Sequence, residues 1–280
     1  MPYKFKPHRM YRMPTHFGPS AGPRQGEEGR EFANVDAPKW TGWSVDFITN
    51  REQLTDLLPE GFGLEVGAEP VVTVRATYIT EIEWLAGRGY NTLGVSFPAI
   101  FHGKDDHVTG SFLTVLWENL CDPILTGREE LGFSKVYCEL PEPRVYRGET
   151  HCTASWMDFK FLDLKIRSLT QLSAEEIVAL TSTAKGDGTL HLKYFPKTGE
   201  WGTPEVCYVT FTPSSGTNAV ITEAWRGEGS VEFHEATWED MPTQFQIVNA
   251  IRGLEIKAYR GAWMIRGVGG KDLSDQRILR

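Results

Sequence analysis

The chain has 280 residues, of which 40% are hydrophobic and 24% are charged, a composition typical of soluble globular proteins. No run approaches eighteen uninterrupted apolar residues, which argues against a transmembrane helix. The formal net charge of -8 excludes a chain-wide basic surface for nucleic acid and a polybasic membrane anchor. The four cysteines show no CxxC spacing. These features together predict a cytoplasmic protein that acts on small molecules.

The first thirty residues are rich in proline, glycine and basic side chains, and they include four aromatic residues. They lack the apolar segment of a secretory signal peptide, and their prolines oppose a continuous helix. We therefore expect residues 1–30 to form an extended arm across the body or a neighbouring subunit. Residues 31–280 are expected to form a single domain, because no repeat or linker divides them.

Beyond Trp40, short alternating segments separated by glycine and proline clusters predict a mostly β protein. Residues 71–79 place valines on one face of a strand and Thr73, Arg75 and Thr77 on the other. Further strands are predicted at residues 112–117, 153–165, 189–195, 206–212, 219–225, 230–233 and 253–266.

Helices are few and short in this prediction. Thr49 with Glu52 and Ser173 with Glu176 have the spacing of a capping box, which predicts a helix start at each place. A third helix is predicted from about residue 243 to residue 251. The sequence therefore predicts an α+β fold dominated by antiparallel β-sheet.

Three common catalytic motifs are missing, since neither GxxxxGK[ST], GxGxxG nor HExxH occurs. The nearest approach to a metal cluster is the segment between His102 and His107, which also contains Asp105 and Asp106. Such residues can ligate a metal, but the same pattern is typical of a polar turn between two strands. We prefer the turn and predict no metal site.

One lysine has an environment that suggests chemistry. Lys135 follows a Gly127-Arg128-Glu129 stretch and stands near Phe133 and other apolar residues. A lysine buried among such side chains has a lowered pKa and, as a free amine, is a nucleophile toward ketones. The alternative is an exposed lysine at a strand end beside a solvated Arg-Glu pair. The residues alone favour this alternative.

A family resemblance favours the chemical interpretation. Gly127-Arg128-Glu129, followed after five residues by Lys135, resembles the active-site signature of the acetoacetate decarboxylase superfamily, GRE…G-[FY]-P-K. Further segments resemble the family in the same order along the chain. These segments are residues 16–19, 22–24, 57–62, 90–103, 192–196 and 223–227. The resemblance implies the family's β-barrel or cone with a few short helices, a homo-oligomer, and a Schiff-base lysine at Lys135 that needs no cofactor.

Several positions depart from the family's pattern. Val136 replaces a second lysine, so no neighbouring cation is expected and desolvation must lower the pKa of Lys135. Ser134 replaces the usual proline. Arg75 and Thr92 occupy the positions that match two pocket glutamates. An inward Arg75 would hold a substrate carboxylate, which favours chemistry that retains the acid over decarboxylation.

The resemblance implies further site residues and leaves two reactions open. One is decarboxylation of a β-keto acid, and the other is aldol condensation and dehydration of a pyruvate-like acid with an aldehyde co-substrate. Candidate acid–base groups are Tyr90, Glu118 and Glu129. Candidate carboxylate-binding groups are Arg24, Arg75 and Arg128, with Thr92 and Phe133 as further pocket residues. Arg128 and Glu129 are equally consistent with a structural ion pair beneath the lysine.

Two other classes of function stay open. One is a small-molecule binding protein that kept the pocket and lost the chemistry. The other is a metal-dependent lyase that uses His102 and His107. The essential amine at Lys135 argues against the binding protein, and metal content after chelation would test the metal-dependent lyase.

Overall fold

The computed structural model describes residues 4–182 and 187–280. These residues form fourteen strands and four α-helices. The strands are β1 (Lys39–Ile48), β2 (Phe62–Gly63), β3 (Val71–Thr80), β4 (Tyr90–His102), β5 (His107–Glu118), β6 (Lys135–Tyr137), β7 (Arg144–Tyr146), β8 (Glu149–Trp156), β9 (Phe159–Gln171), β10 (Gly188–Lys197), β11 (Glu200–Pro213), β12 (Val220–Phe233), β13 (Ala258–Val268) and β14 (Arg277–Ile278). The helices are α1 (Arg51–Thr55), α2 (Cys121–Thr126), α3 (Ala174–Ser182) and α4 (Phe245–Arg252). None of the described helices has the length and apolar character needed to cross a membrane.

One continuous mixed sheet contains these strands. Its order is β14-β11-β10-β5-β4-β3-β1-β13-β12-β9-β8-β7, with β2 beside β4 and β6 beside β5. The described pairs are antiparallel except for β5–β10 and β5–β6, which are parallel. The predicted α+β class dominated by antiparallel sheet is confirmed.

The alternation in β3 gives the sheet an apolar face and a mixed face. Val72 and Val74 are fully buried in the core, whereas Arg75 on the other face is exposed. The apolar face packs against α4, where Trp117 Nε1 donates a hydrogen bond to Gln244 Oε1 at 2.7 Å. Burial of each large apolar side chain contributes roughly 1.5–3 kcal/mol. The core therefore fixes the strands whose other face carries the candidate catalytic residues.

The two predicted capping boxes have different outcomes. The Ser173 N–H donates to Glu176 Oε2 at 2.7 Å, and the Glu176 N–H donates to Ser173 Oγ at 3.3 Å, which confirms this box at the start of α3. The box at Thr49 and Glu52 is wrong. Asn50, rather than Thr49, precedes the first helical residue, and it makes no side-chain capping hydrogen bond.

The strand predictions need two corrections. Residues 153–165 are not one strand, because the β8–β9 hairpin turns at Met157 and Asp158, whose φ angles are 44° and 69°. Residues 219–225 and 230–233 are parts of the single strand β12, which has a register shift beside Arg226. The central strand β1 is absent from the predicted strands.

The His102–His107 segment forms the turn of the β4–β5 hairpin. The two histidines pair across the hairpin with ring centroids 5.7 Å apart. The Asp106 carboxylate accepts a hydrogen bond from the Arg280 N–H at 2.8 Å. Within residues 4–182 and 187–280, no group of three or more His, Cys, Asp or Glu side chains is arranged so that it could hold a metal ion. The polar turn is the interpretation that matches this geometry.

Candidate active site

Lys135 begins β6 at a position fixed by the neighbouring strand. It pairs in parallel with Leu116 of β5, and its side chain lies on the face opposite the core. Lys135 is buried, at 7% relative exposure. Its Nζ donates to Glu118 Oε1 at 2.8 Å and to the Pro123 carbonyl oxygen at 3.0 Å. The Nζ also lies 5.4 Å from the centre of the Phe133 ring, within range of a cation–π contact.

The segment before Lys135 is built around two glycines. Helix α2 continues into a π-helical turn, Gly127–Leu131, and the chain leaves it at Gly132 with φ 89°. The N–H groups of Gly132 and Phe133 both donate to the Gly127 carbonyl oxygen, at 2.9 and 3.0 Å. A Cβ at Gly127 would stand 2.4 Å from Lys135 Cε. The glycine of the family signature therefore leaves the space that the lysine side chain occupies.

Glu118 is a buried carboxylate next to the amine. It is 1% exposed, and its second oxygen, Oε2, has no hydrogen-bond partner among the described residues. Burial raises the pKa of Glu118 above its ordinary value, against the opposing attraction of Lys135. Burial lowers the pKa of Lys135 and outweighs the attraction of Glu118. Burial therefore shifts both groups toward their neutral forms.

Arg24 supplies a neighbouring cation, although Val136 replaces the second lysine of the family pattern. The Arg24 guanidinium lowers the pKa of Lys135 further. Its Nε donates to Glu130 Oε2 at 3.0 Å and its Nη2 contacts the same oxygen. Nη2 also donates to Thr126 Oγ1 at 2.5 Å, and Nη1 donates to the Asp272 carbonyl oxygen at 3.0 Å. The expectation of no nearby cation is wrong because the arm brings Arg24 to the lysine.

A cavity of about 220 Å³ surrounds the Lys135 side chain. Tyr90 and Arg24 line it together with apolar side chains that include Ile82 and Trp84. Burial and the nearby Glu118 raise the pKa of Tyr90, which keeps its hydroxyl protonated as a possible donor. The rest of the wall includes Pro23 in the arm, Asn34 and Pro38, and the segment 270–273. The volume suits a small ligand.

Three residues that the sequence predicted for the site do not line this cavity. Thr92 pairs with Glu118 across β4 and β5 without lining the cavity. Arg75 pairs with Gly94, which pairs with Leu116, so Arg75 stands three strands from Lys135, roughly 14 Å at the usual spacing. Phe133 contacts the lysine through its ring but lines a separate cleft.

Arg128 and Glu129 are also placed away from the amine. Arg128 is exposed, and its Nη1 donates to the Lys135 carbonyl oxygen at 2.8 Å. Glu129 accepts a hydrogen bond from Lys193 Nζ at 2.6 Å through its main-chain oxygen. Among the described residues the ion pair of this turn joins Glu130 to Arg24 instead of joining Arg128 to Glu129. Glu130 is a site residue that the sequence did not single out, although it is the second carboxylate of an Arg-Glu-Glu run.

Comparisons with known proteins identify the family of the chain. The sequence profile described as acetoacetate decarboxylase (ADC) matches residues 12–265, so the chain belongs to the acetoacetate decarboxylase family, a family of lyases. No significant match is found among curated proteins.

Solved structures show the same fold at low identity. A crystal structure of acetoacetate decarboxylase from Legionella pneumophila subsp. pneumophila str. Philadelphia 1 is similar, with 20% identity, a TM-score of 0.63, and coverage of 93% of this chain and 98% of that chain. Another acetoacetate decarboxylase gives 17% identity, a TM-score of 0.65, and coverage of 86% and 88%. The enduracididine biosynthesis enzyme MppR, complexed with the condensation product of pyruvate and imidazole 4-carboxaldehyde, gives 15% identity, a TM-score of 0.61, and coverage of 92% and 97%.

Proposed function

We propose that the protein is a cofactor-independent lyase in which Lys135 forms a Schiff base with a small keto acid. The observation that carries this proposal is the buried contact between Lys135 Nζ and Glu118 Oε1 at 2.8 Å, beside a cavity of about 220 Å³ that Lys135 lines. Burial lowers the pKa of this lysine, which increases the fraction of nucleophilic free amine near neutral pH.

Glu118 is the proposed proton carrier. When the amine attacks the ketone, the nitrogen loses a proton and the carbinolamine must then lose its hydroxyl as water. As the acid, Glu118 first protonates the ketone oxygen; its carboxylate then takes a proton from the nitrogen and gives it to the hydroxyl, which leaves as water, a role suited to a carboxyl group whose pKa is raised by burial. The protonated Schiff base that results is an electron acceptor next to the carbon bearing the acid.

Decarboxylation of a β-keto acid is the reaction that this geometry supports best. The bond between the α-carbon and the carboxylate breaks, carbon dioxide leaves, and the electron pair moves toward the iminium nitrogen to give an enamine. Glu118, left as a carboxylate by the loss of water, takes up a proton from solvent and passes it to the enamine carbon, and water then hydrolyses the imine. The apolar walls at Ile82 and Trp84, and Arg75 standing outside the cavity, favour loss of the carboxylate over a firm grip on it.

Arg24 supports the retained-acid reaction as a second candidate. A guanidinium has five N–H groups, and four of those of Arg24 are engaged by Glu130, Thr126 and the Asp272 carbonyl. One N–H on Nη1 is left for a substrate carboxylate. Glu118 Oε2 would then remove a methyl proton from a pyruvate imine, and the resulting enamine would attack an aldehyde. The similar fold of MppR, a protein complexed with such a condensation product, agrees with this candidate.

The test is the intact-protein mass after borohydride reduction with acetoacetate or pyruvate. We expect an adduct that is absent from Lys135→Ala and present in Lys39→Ala, a control at an exposed lysine. An adduct of acetoacetate that has lost its carboxylate supports decarboxylation. Exchange of pyruvate methyl protons in D₂O, with the carboxylate retained, supports the second candidate. No adduct on folded protein with either acid would favour a non-catalytic binding protein.

A further inference from the structure

A second cleft lies where two strands leave the same edge of β5. One edge of β5 pairs with β4 along its length. On the other edge, β10 pairs at Ser111 and Phe112, and β6 pairs from Leu116 onward. The main chain of residues 113–115 therefore faces the gap between β10 and β6. Thr114, the extra residue of a register shift in β5, lies at this gap.

The gap forms a cleft of about 290 Å³ with apolar walls. Phe133 and Val136 lie on the side of β6, Leu192 and Phe195 lie on β10, and Tyr194 stands at the partly exposed rim. Its volume is near the lower end of pockets that hold small organic ligands. The cleft is therefore large enough for a compact apolar body.

Two cations line the cleft without carboxylate partners. Lys193 Nζ donates to the main-chain oxygen of Glu129, and Arg128 Nη1 donates to that of Lys135. Within the described residues neither cation forms a salt bridge, and no acidic side chain lines the cleft. Main-chain oxygens satisfy hydrogen bonds but leave both charges uncompensated. The cleft is thus locally positive in a chain of net charge -8.

The cleft is separate from the candidate active site. The segment 127–136 divides them: Gly127, Leu131 and Lys135 line the active-site cavity, whereas Arg128 and Phe133 line the cleft. The two cavities share no lining residue. A ligand in the cleft would therefore contact the back of the segment that presents the lysine.

We propose that this cleft binds a second small molecule, a carboxylate with an apolar or aromatic body. The guanidinium of Arg128 has N–H groups beyond the one used by Lys135, and a carboxylate is the anion whose shape matches them. The aromatic side chains of Phe133 and Phe195 contact the body of the acid. The proposal does not depend on Schiff-base chemistry at Lys135.

The test uses 3-phenylpropionate, an acid without a carbonyl that could react with an amine. Binding is measured by titration calorimetry on wild type and on Lys135→Ala, and saturable binding is expected for both. Arg128→Gln is expected to weaken binding about tenfold or more, because it removes a hydrogen bond to a charged group. The neutral 3-phenylpropanamide is expected to bind at least about tenfold more weakly than the acid.

A rim variant keeps the test decisive if Arg128→Gln fails to fold. Tyr194→Asp places a carboxylate at the partly exposed rim of the cleft and is expected to weaken binding of the acid. The matched control is Tyr146→Asp, at a more exposed tyrosine on β7, which is expected to bind the acid like wild type. Absence of saturable binding by folded wild type would overturn the proposal. Binding of the acid by Tyr194→Asp as tight as by wild type would also overturn it, and so would equally tight binding of the amide. Loss of binding in Arg24→Gln would overturn it as well, because that result would place the acid in the active-site cavity.

Discussion

At the scale of single residues, burial and two charged neighbours set the pKa of the Lys135 amine. Burial lowers the pKa of this lysine, Glu118 opposes that effect, and Arg24 adds to it. Glu130 holds Arg24 in place, so the cation beside the amine comes from the arm and its carboxylate partner from the π-helical turn. The two neighbours of the amine thus act on its pKa in opposite directions.

Opposite shifts are therefore expected from two neutral substitutions. Arg24→Gln removes a cation, so it should raise the pKa of Lys135 and move the midpoint of adduct formation to higher pH. Glu118→Gln removes a carboxylate, so it should move the midpoint to lower pH while slowing the step. The measurement is the rate of borohydride trapping as a function of pH.

Arg12→Gln is the matched control for this prediction. Arg12 also approaches Glu130, with Nη1 3.8 Å from Oε1, but it is not among the groups that shift the pKa of Lys135. The pH midpoint of adduct formation in Arg12→Gln should equal that of wild type. Shifts of Arg24→Gln and Glu118→Gln in the same direction would contradict the prediction.

The buried His191 leads to a prediction of how the free energy of unfolding depends on pH. Its ring is fully buried, stacks on Phe133 at 4.0 Å, and its Nε2 lies 3.0 Å from Thr212 Oγ1. Burial, with a smaller effect of Lys135, lowers the pKa of His191 to about 3. The unfolded chain takes up this proton below its ordinary pKa near 6.5, whereas the folded chain does not until about pH 3. The free energy of unfolding should therefore fall by roughly 1.4 kcal/mol per pH unit within that window.

The interval from pH 6 to pH 4.5 lies within this window and above the range in which folded Asp163 titrates, because hydrogen bonds from Lys160 and two histidines lower its pKa to about 2. Urea unfolding across this interval should show a shallower slope for His191→Gln than for wild type. His107→Gln, at an exposed histidine, should keep the wild-type slope. An unchanged slope in His191→Gln would show that another group carries the pH dependence.

At the scale of elements, the sequence predicted those strands and helices whose structure depends on residues close together in the chain. Strand β3 follows from strict alternation, and α3 follows from the reciprocal bonds of Ser173 and Glu176. The β8–β9 hairpin was hidden because Met157 and Asp158 occupy its turn where glycine or asparagine would have marked it. The π-helical turn also lacks a local signal, since its geometry depends on packing around Lys135.

Gly127 gives the clearest prediction at this scale. Its φ of -66° suits any residue, so the backbone does not require glycine there. A Cβ would instead stand 2.4–2.7 Å from the outer atoms of the Lys135 side chain. Gly127→Ala should displace the amine and abolish most adduct formation, while overpacking lowers the free energy of unfolding by roughly 1–3 kcal/mol.

Gly253→Ala is the matched control, because Gly253 has a similar φ of -68° and its Cβ would meet atoms no closer than 3.4 Å. This variant should trap keto acid like wild type. Both proteins are compared by borohydride trapping and by urea unfolding. Normal trapping in Gly127→Ala would mean that the lysine has room that this geometry denies it.

At the scale of the whole molecule, distant parts of the chain meet at the cavity. Lys135 was recognised from its signature, and Glu118 from its neighbourhood in the sequence. Asp272, by contrast, reaches the site only through tertiary packing, where its carbonyl accepts a hydrogen bond from Arg24. No local periodicity encodes such a contact. The homo-oligomer stays a prediction, and sedimentation equilibrium of the full chain would test it.

We propose that residues 1–30 form an arm that closes the cavity and that can be deleted without unfolding the sheet. Pro23 and Arg24 line one side of it, and Arg24 ties the arm to the segment around Asp272. Deletion of residues 1–30 should leave a cooperatively folding sheet, because the core cluster lies within residues 43–279. The same deletion removes Arg24 and admits water to Lys135, so both effects raise the pKa of this lysine and reduce its free amine at pH 7.

Trapping of keto acid by the deletion variant should therefore be much weaker than by wild type at pH 7 and should recover as the pH approaches 10. Thermal melting followed by circular dichroism reports whether the sheet persists. Deletion of residues 1–5 alone, which spares Arg24, should trap like wild type. Loss of the cooperative melt would make the arm part of the folding unit. Wild-type trapping at pH 7 would show that burial by the remaining walls is enough to lower the pKa of Lys135.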